Sequence, residues 1–154
     1  MSRIISYKGK IAIGLQDRIR LRTLNGKVGY KINKFELFPS TPHAANTALV
    51  SKIFKTDQSA SVSPTVDFTN ADLIAVAAYE DNSNDARQQH DTIVFDNEIV
   101  NQDIFITMDD ADSNTVPGNY YIELEAMSLD DIESTMLTLK SLRTIASQWV
   151  NNII

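Results

Sequence analysis

From Asp17 to Leu24 the sequence reads D-R-I-R-L-R-T-L, with Arg18, Arg20 and Arg22 alternating with Ile19, Leu21 and, beyond Thr23, Leu24. A period of two marks a β-strand with one wet and one buried face, because successive side chains leave a pleated chain on opposite sides. The three guanidinium groups then project from one face about 7 Å apart, while the aliphatic residues face a core. Asn25-Gly26 follows, a pair that suits the positive φ angles of a two-residue hairpin turn. Lys27 to Phe38 is therefore predicted to return as the partner strand, with a bulge or bend near Asn33.

The rest of the chain supports the same backbone. It carries 17 Ile and 9 Val against 11 Leu, and such stiff, β-branched side chains fit a pleated sheet better than a helix. Further strands are predicted over Thr47 to Thr56, Thr92 to Phe95, Glu98 to Thr107 and Asn119 to Met127. The apolar run Leu73 to Tyr79 reads as a central strand covered on both faces. Asp57 to Pro64, Asp81 to Asp91 and the acidic stretch Asp109 to Gly118 read as loops. Many short strands punctuated by turns imply a mainly β fold, a β-sandwich or jelly-roll-like pair of antiparallel sheets.

One C-terminal amphipathic helix is expected over 129–150. Ser128 with Asp131 resembles a capping box, and Ile132, Met136, Leu139, Leu142, Ala146 and Trp149 recur at helical spacing. At 154 residues the chain suits a single β-rich domain, 1–154, opening with a basic N-terminal arm or hairpin over 1–38.

Charge is split unevenly along this domain. Residues 1–55 hold eleven Lys or Arg against Asp17 and Glu36, while residues 56–154 hold three basic and eighteen acidic residues. Three outcomes compete: basic strands pair with acidic strands inside one fold, the basic third docks on an acidic partner or a neighbouring copy, or it binds nucleic acid. Nucleic acid is the least favoured, because the nearest polyanion is the acidic remainder of the same chain. Glu123 and Glu125 are natural partners for the Arg18, Arg20, Arg22 face if their strands are neighbours.

Catalytic chemistry finds little support. With no cysteine, disulfides and thiolate chemistry are excluded. His43 and His90 fall in predicted polar loops 47 positions apart, and no compact nucleophile motif accompanies them. The five glycines form neither a dinucleotide fingerprint nor a phosphate loop. Two acidic stretches, Asp81 to Asp85 and Asp109 to Asn114, offer oxygen ligands but lack the glycine and closing glutamate of an EF-hand. No catalytic residue, metal ligand or cofactor is assigned. No apolar run approaches the roughly 20 residues of a membrane span, and no secretory signal is expected from Met1 to Lys10.

The segments Gly29 to Pro39 (GYKINKFELFP), Thr92 to Asp110 (TIVFDNEIVNQDIFITMDD) and Pro117 to Arg143 (PGNYYIELEAMSLDDIESTMLTLKSLR) resemble small virion structural proteins of marine tailed bacteriophages. That resemblance implies a β-rich capsid decoration or cement protein, or a tail-associated one, without enzymatic activity. It is expected in the virion, assembled in the host cytoplasm, with the major capsid protein or other virion proteins as partners and a homo-oligomer on the particle. No membrane contact is implied. A cement protein needs a firm body and a sticky edge, and its individual contacts can be weak because many copies act together. The candidate partner-binding residues are Arg3, Arg18, Arg20 and Arg22 on a basic arm, and Trp149, Ile153 and Ile154 as an apolar plug. The alternative is a receptor-binding, carbohydrate-reading module that uses Tyr79, Tyr120, Tyr121 or Trp149 as stacking platforms.

Overall fold

In chain order the strands are β1 (Ser2–Ile11), β2 (Leu15–Ile19), β3 (Val28–Pro39), β4 (Thr47–Phe54), β5 (Leu73–Asn82), β6 (Arg87–Val94), β7 (Ile99–Val100), β8 (Ile104–Asp110) and β9 (Gly118–Ser128). A helix, α1, covers 131–140. The computed structural model describes residues 2–42, 46–82, 87–95 and 98–140. The predicted helix beyond 140 lies outside the described residues, as do His43 and Asp96-Asn97.

Two antiparallel sheets result, with strand orders β1-β9-β3-β7 and β2-β8-β4-β5-β6. Their inner faces form one core: Ile32, Phe35, Ile122 and Leu124 from the first sheet meet Leu49, Ile53, Ile104 and Ile106 from the second. The arrangement is β-sandwich-like, as the strand pattern predicts. Alternation is clearest in β9, where Tyr120, Ile122, Leu124 and Ala126 are buried and the residues between them are not. Each fully buried Ile, Leu or Phe contributes roughly 1.5 to 3 kcal/mol.

The expected bulge near Asn33 is present: the register of β3 on β9 shifts between Ile32 and Lys34. The expected hairpin is not. Residues 15–39 do not fold back at Asn25-Gly26, because β2 pairs with β8 in one sheet and β3 with β9 in the other. Gly26 takes φ +66, but Asn25 does not share the positive region that a type I′ turn requires of both residues. Instead the Asn25 side chain accepts the Lys27 N–H at 3.1 Å, an Asx turn that redirects the chain from one sheet to the other. Leu24, expected in the core, is fully exposed on this crossing.

Two further expectations are corrected by the strand assignments. Glu98 to Thr107 is not one strand: β7 ends at Val100 and β8 begins at Ile104, so Asn101 to Asp103 carries the chain between sheets. Asp81 to Asp91 is not wholly loop, since β5 runs to Asn82 and β6 starts at Arg87, pairing from Asn82 opposite Arg87 onward. The basic opening of the chain is built into the first sheet, with β1 in register against β9 at ten positions from Ser2 to Ile11.

The loop expected at Asp57 to Pro64 extends over residues 55–72 and covers the outer face of β4 and β5. Lys52 Nζ donates to the Thr65 carbonyl at 2.6 Å, and Phe68 meets Phe95 edge to face with centroids 4.9 Å apart. This cover buries Leu73 and Val76, so β5 is doubly covered as far as Ala77, while Ala78 is exposed.

The helix starts two residues later than its sequence suggests. Ser128 is still paired in the sheet, opposite Val28, and Asp130 is the cap, accepting the Glu133 N–H at 2.8 Å. Its packed face is polar: Ser134 is buried, whereas Ile132, Met136 and Leu139 are 72%, 65% and 51% exposed. The anchor is Asn101, whose side-chain amide donates to Thr138 Oγ1 at 2.9 Å.

Candidate interaction surface

Both β1 and β2 begin their sheets, and they are joined by the turn at Ala12 to Leu15, where Leu15 N–H donates to the Ala12 carbonyl at 3.2 Å and Gly14 takes φ +84. So short a link spans about the 10 Å that separates packed sheets. The two edge strands therefore share one flank of the sandwich. On the opposite flank the sheets close on each other, with Thr92 Oγ1 of β6 donating to the Phe35 carbonyl of β3 at 2.9 Å. On the β1 flank, the outer edge of β1 makes no backbone hydrogen bond among the described residues.

Several basic residues on or just beyond these two edge strands are left without an ion pair among the described residues. Among the eleven basic residues of positions 1–55, Lys27 lies 2.8 Å from Asp131, Lys31 lies 3.7 Å from Glu125, and Lys55 lies 2.7 Å from Glu98. Lys52 is buried under its loop; that burial holds its amine below the ordinary lysine range, against the opposing pull of Asp109. Lys34 sits 6.0 Å from the ring centre of Tyr121. The expectation that basic and acidic strands pair internally thus holds for part of the charge.

Arg18 is engaged, but not as expected. Its strand is no neighbour of β9, so Glu123 and Glu125 do not face it; Nε donates instead to Asp103 Oδ2 at 2.8 Å. Asp103 also accepts the Leu21 and Arg22 N–H groups at 2.9 and 3.0 Å. Burial alone would raise its pKa, yet the hydrogen bonds from Arg22, Arg18 and Leu21 together hold the carboxyl below its usual range. Asp103 ends the pairing of β2 by taking the donors that a neighbouring strand would otherwise use.

Arg3, Lys8, Lys10, Arg20 and Arg22 are exposed and make no ion pair among the described residues. Lys8 and Lys10 stand opposite Tyr121 and Asn119 on the outer face of the first sheet. Period-two alternation correctly separates Arg18, Arg20 and Arg22 from buried Ile19 and Leu21. Lys8 and Lys10 escaped sequence reasoning, because nothing in the sequence indicates that β1 borders its sheet. Trp149, Ile153 and Ile154 lie outside the described residues.

A second feature adjoins the flank. Lys8, Glu36, Phe38, Asn119 and Tyr121 line a shallow depression of about 450 Å³. Phe38 and Tyr121 are 53% and 36% exposed, and Tyr120, though largely buried, also lines the depression, whereas Tyr79 is a core residue outside it. His90 lies on β6, not in a loop, with Nε2 3.3 Å from Glu36 Oε2.

Among the described residues no group of three His, Cys, Asp or Glu is placed to hold a metal ion. Side-chain oxygens of the Asp109 to Asn114 stretch are taken up by backbone N–H groups: Asp110 Oδ1 accepts the Asp112 N–H at 2.7 Å, and Asn114 Oδ1 the Thr115 N–H at 2.9 Å. No helix among the described residues is long and apolar enough to cross a membrane. Compared with protein-family models and with curated proteins, the chain matches none.

Proposed function

We propose that this chain is a non-enzymatic virion structural protein, a capsid decoration or cement protein that attaches to repeated sites on a shell through its β1–β2 flank. The observation that carries the reading is that Arg3, Lys8, Lys10, Arg20 and Arg22, on or just beyond the edge strands β1 and β2, are exposed and make no ion pair among the described residues. Exposed cations of this kind contribute little to folding, but they steer and hold an acidic surface, and repetition on a lattice multiplies weak contacts. The likeness of Gly29 to Pro39, Thr92 to Asp110 and Pro117 to Arg143 to phage virion proteins supports the same assignment.

Purified particles test it. Occupancy is expected to fall as NaCl rises from about 50 to 500 mM, and to fall further for Arg20→Glu with Arg22→Glu. Arg18→Glu is a poorer probe, since it also breaks the Asp103 pair. Hundreds of copies per particle indicate the shell, and a handful the tail. Occupancy indifferent to salt and to both reversals would overturn the proposal.

The depression with Phe38 and Tyr121 favours one second reading, a carbohydrate-reading module of a receptor-binding protein, because exposed rings beside Glu36 and Asn119 suit sugar stacking and hydroxyl hydrogen bonds. A glycan array on wild type and Tyr121→Ala separates the two.

A further inference from the structure

We infer that β1 accepts an extended acidic segment of another protein as an added strand, with carboxylates at alternate positions of that segment facing Lys8 and Lys10. The inference rests on the docking role proposed for this flank and specifies its partner's chemistry. Three features support it.

First, β1 offers ten residues, Ser2–Ile11, whose pairing to β9 is complete on one side and whose other side has no backbone partner among the described residues. Edge strands of this length are templates for another chain unless they are shortened, bulged, covered or charged, and the charges on β1, Lys8 and Lys10, oppose a like edge while admitting an acidic one. The opposite flank is closed by the Thr92 to Phe35 bond; on this flank Tyr120 of β9 reaches Asp17 of β2 behind β1, and no backbone bond takes up the outer edge of β1 among the described residues.

Second, Lys8 and Lys10 are two positions apart on the same face, so their ammonium groups project about 7 Å from each other. An incoming strand presents its own alternate side chains at the same interval, directly opposite. A segment carrying Asp or Glu at positions i and i+2 matches both.

Third, a second copy of this chain is the wrong occupant. Two β1 edges would bring two unpaired basic flanks together. The chain's own alternating acids, Glu123 and Glu125, lie on β9, which already has neighbours on both sides. The occupant is therefore an acidic strand of a different protein.

The test uses the full chain and a capped eight-residue peptide alternating Glu and Val, read by amide hydrogen exchange and by affinity. The expected result is slowed exchange at alternate amides of Ser2–Ile11, with affinity falling about tenfold for Lys8→Glu with Lys10→Glu. A proline-interrupted peptide of the same charge and a single-stranded DNA oligonucleotide are expected to bind weakly and leave β1 exchange unchanged. Failure of the Glu-Val peptide to bind, or equal binding of these controls without β1 protection, overturns strand addition. Particle occupancy, measured beside it, separates the two claims. Loss with Arg20→Glu and Arg22→Glu but not with Lys8→Glu and Lys10→Glu sinks strand addition alone, and loss with neither sinks the docking role as well.

Discussion

Asn101 donates its side-chain amide to the main-chain carbonyl of Gly26 at 3.0 Å, tying the β7–β8 crossing to the turn that carries the chain between the sheets. The same amide reaches the Ser134 carbonyl at 3.3 Å and Thr138 Oγ1, so one buried side chain joins two crossings and α1. Asn101→Ala leaves these acceptors unpaired and is expected to cost about 1 to 3 kcal/mol. Asn101→Asp, which buries a charge against acceptors, is expected to cost more. Urea midpoints for the three proteins check the order, and equal midpoints would refute the latch.

Asp103 fixes where β2 stops. Its folded pKa lies below the unfolded value, so its contribution is present above the ordinary carboxylate range near pH 4 and is lost as pH falls through the lower folded value. Asp103→Asn is expected to destabilise by about 1 to 2 kcal/mol at neutral pH, with the gap to wild type narrowing on acidification. Stability curves from pH 7 to about pH 2 settle it; a gap that stays constant contradicts the assignment.

Tyr120 bridges the sheets by donating to Asp17 Oδ2 at 3.2 Å. Burial first, then the Asp17 charge and the hydrogen bond, push its pKa up to about 12. The unfolded chain loses this proton near pH 10 while the fold retains it, so stability is intact below pH 10 and declines between pH 10 and about 12. The decline attributable to Tyr120 is expected to be about 2 kcal/mol or less. Tyr30 and Tyr79 are also raised by burial, so the test is the difference between wild type and Tyr120→Phe across this range. Parallel curves would eliminate the effect.

Glu98 holds two amines on one oxygen, Lys55 at 2.7 Å and Lys140 at 3.1 Å. Lys55 is buried and Lys140 is exposed, so their deletions are unequal. Glu98→Ala strands the Lys55 ammonium and is expected to cost about 3 kcal/mol, against less than about 1 kcal/mol for Lys140→Ala. Thermal or urea denaturation of both variants provides the comparison, and a larger loss for Lys140→Ala would reverse the account.

Much of the strand content was legible because side-chain period is a local property. Tyr120 to Ala126 alternates in the sequence and alternates in burial, and the Ile32 to Lys34 irregularity was visible as a break in that rhythm. The helix shows the limit of the same reasoning. Ile132, Met136 and Leu139 mark an apolar stripe, but Asn101 and the Asn25 carbonyl dock the helix by its Ser134 and Thr138 side. A polar anchor arriving from a residue more than thirty positions away leaves no periodic trace.

The sequence by itself determined a mainly β chain, the wet and dry faces of its strands, and the surplus of cations in its first third. Those follow from steric preference and side-chain period, which act over a few residues. Tertiary structure decided which strands became neighbours: it sent the two sides of Asn25-Gly26 into different sheets, gave Arg18 to Asp103, and left β1 at a border with Lys8 and Lys10 unmatched. Strand order is chosen by how whole faces bury against one another, and that competition is settled among residues far apart along the chain.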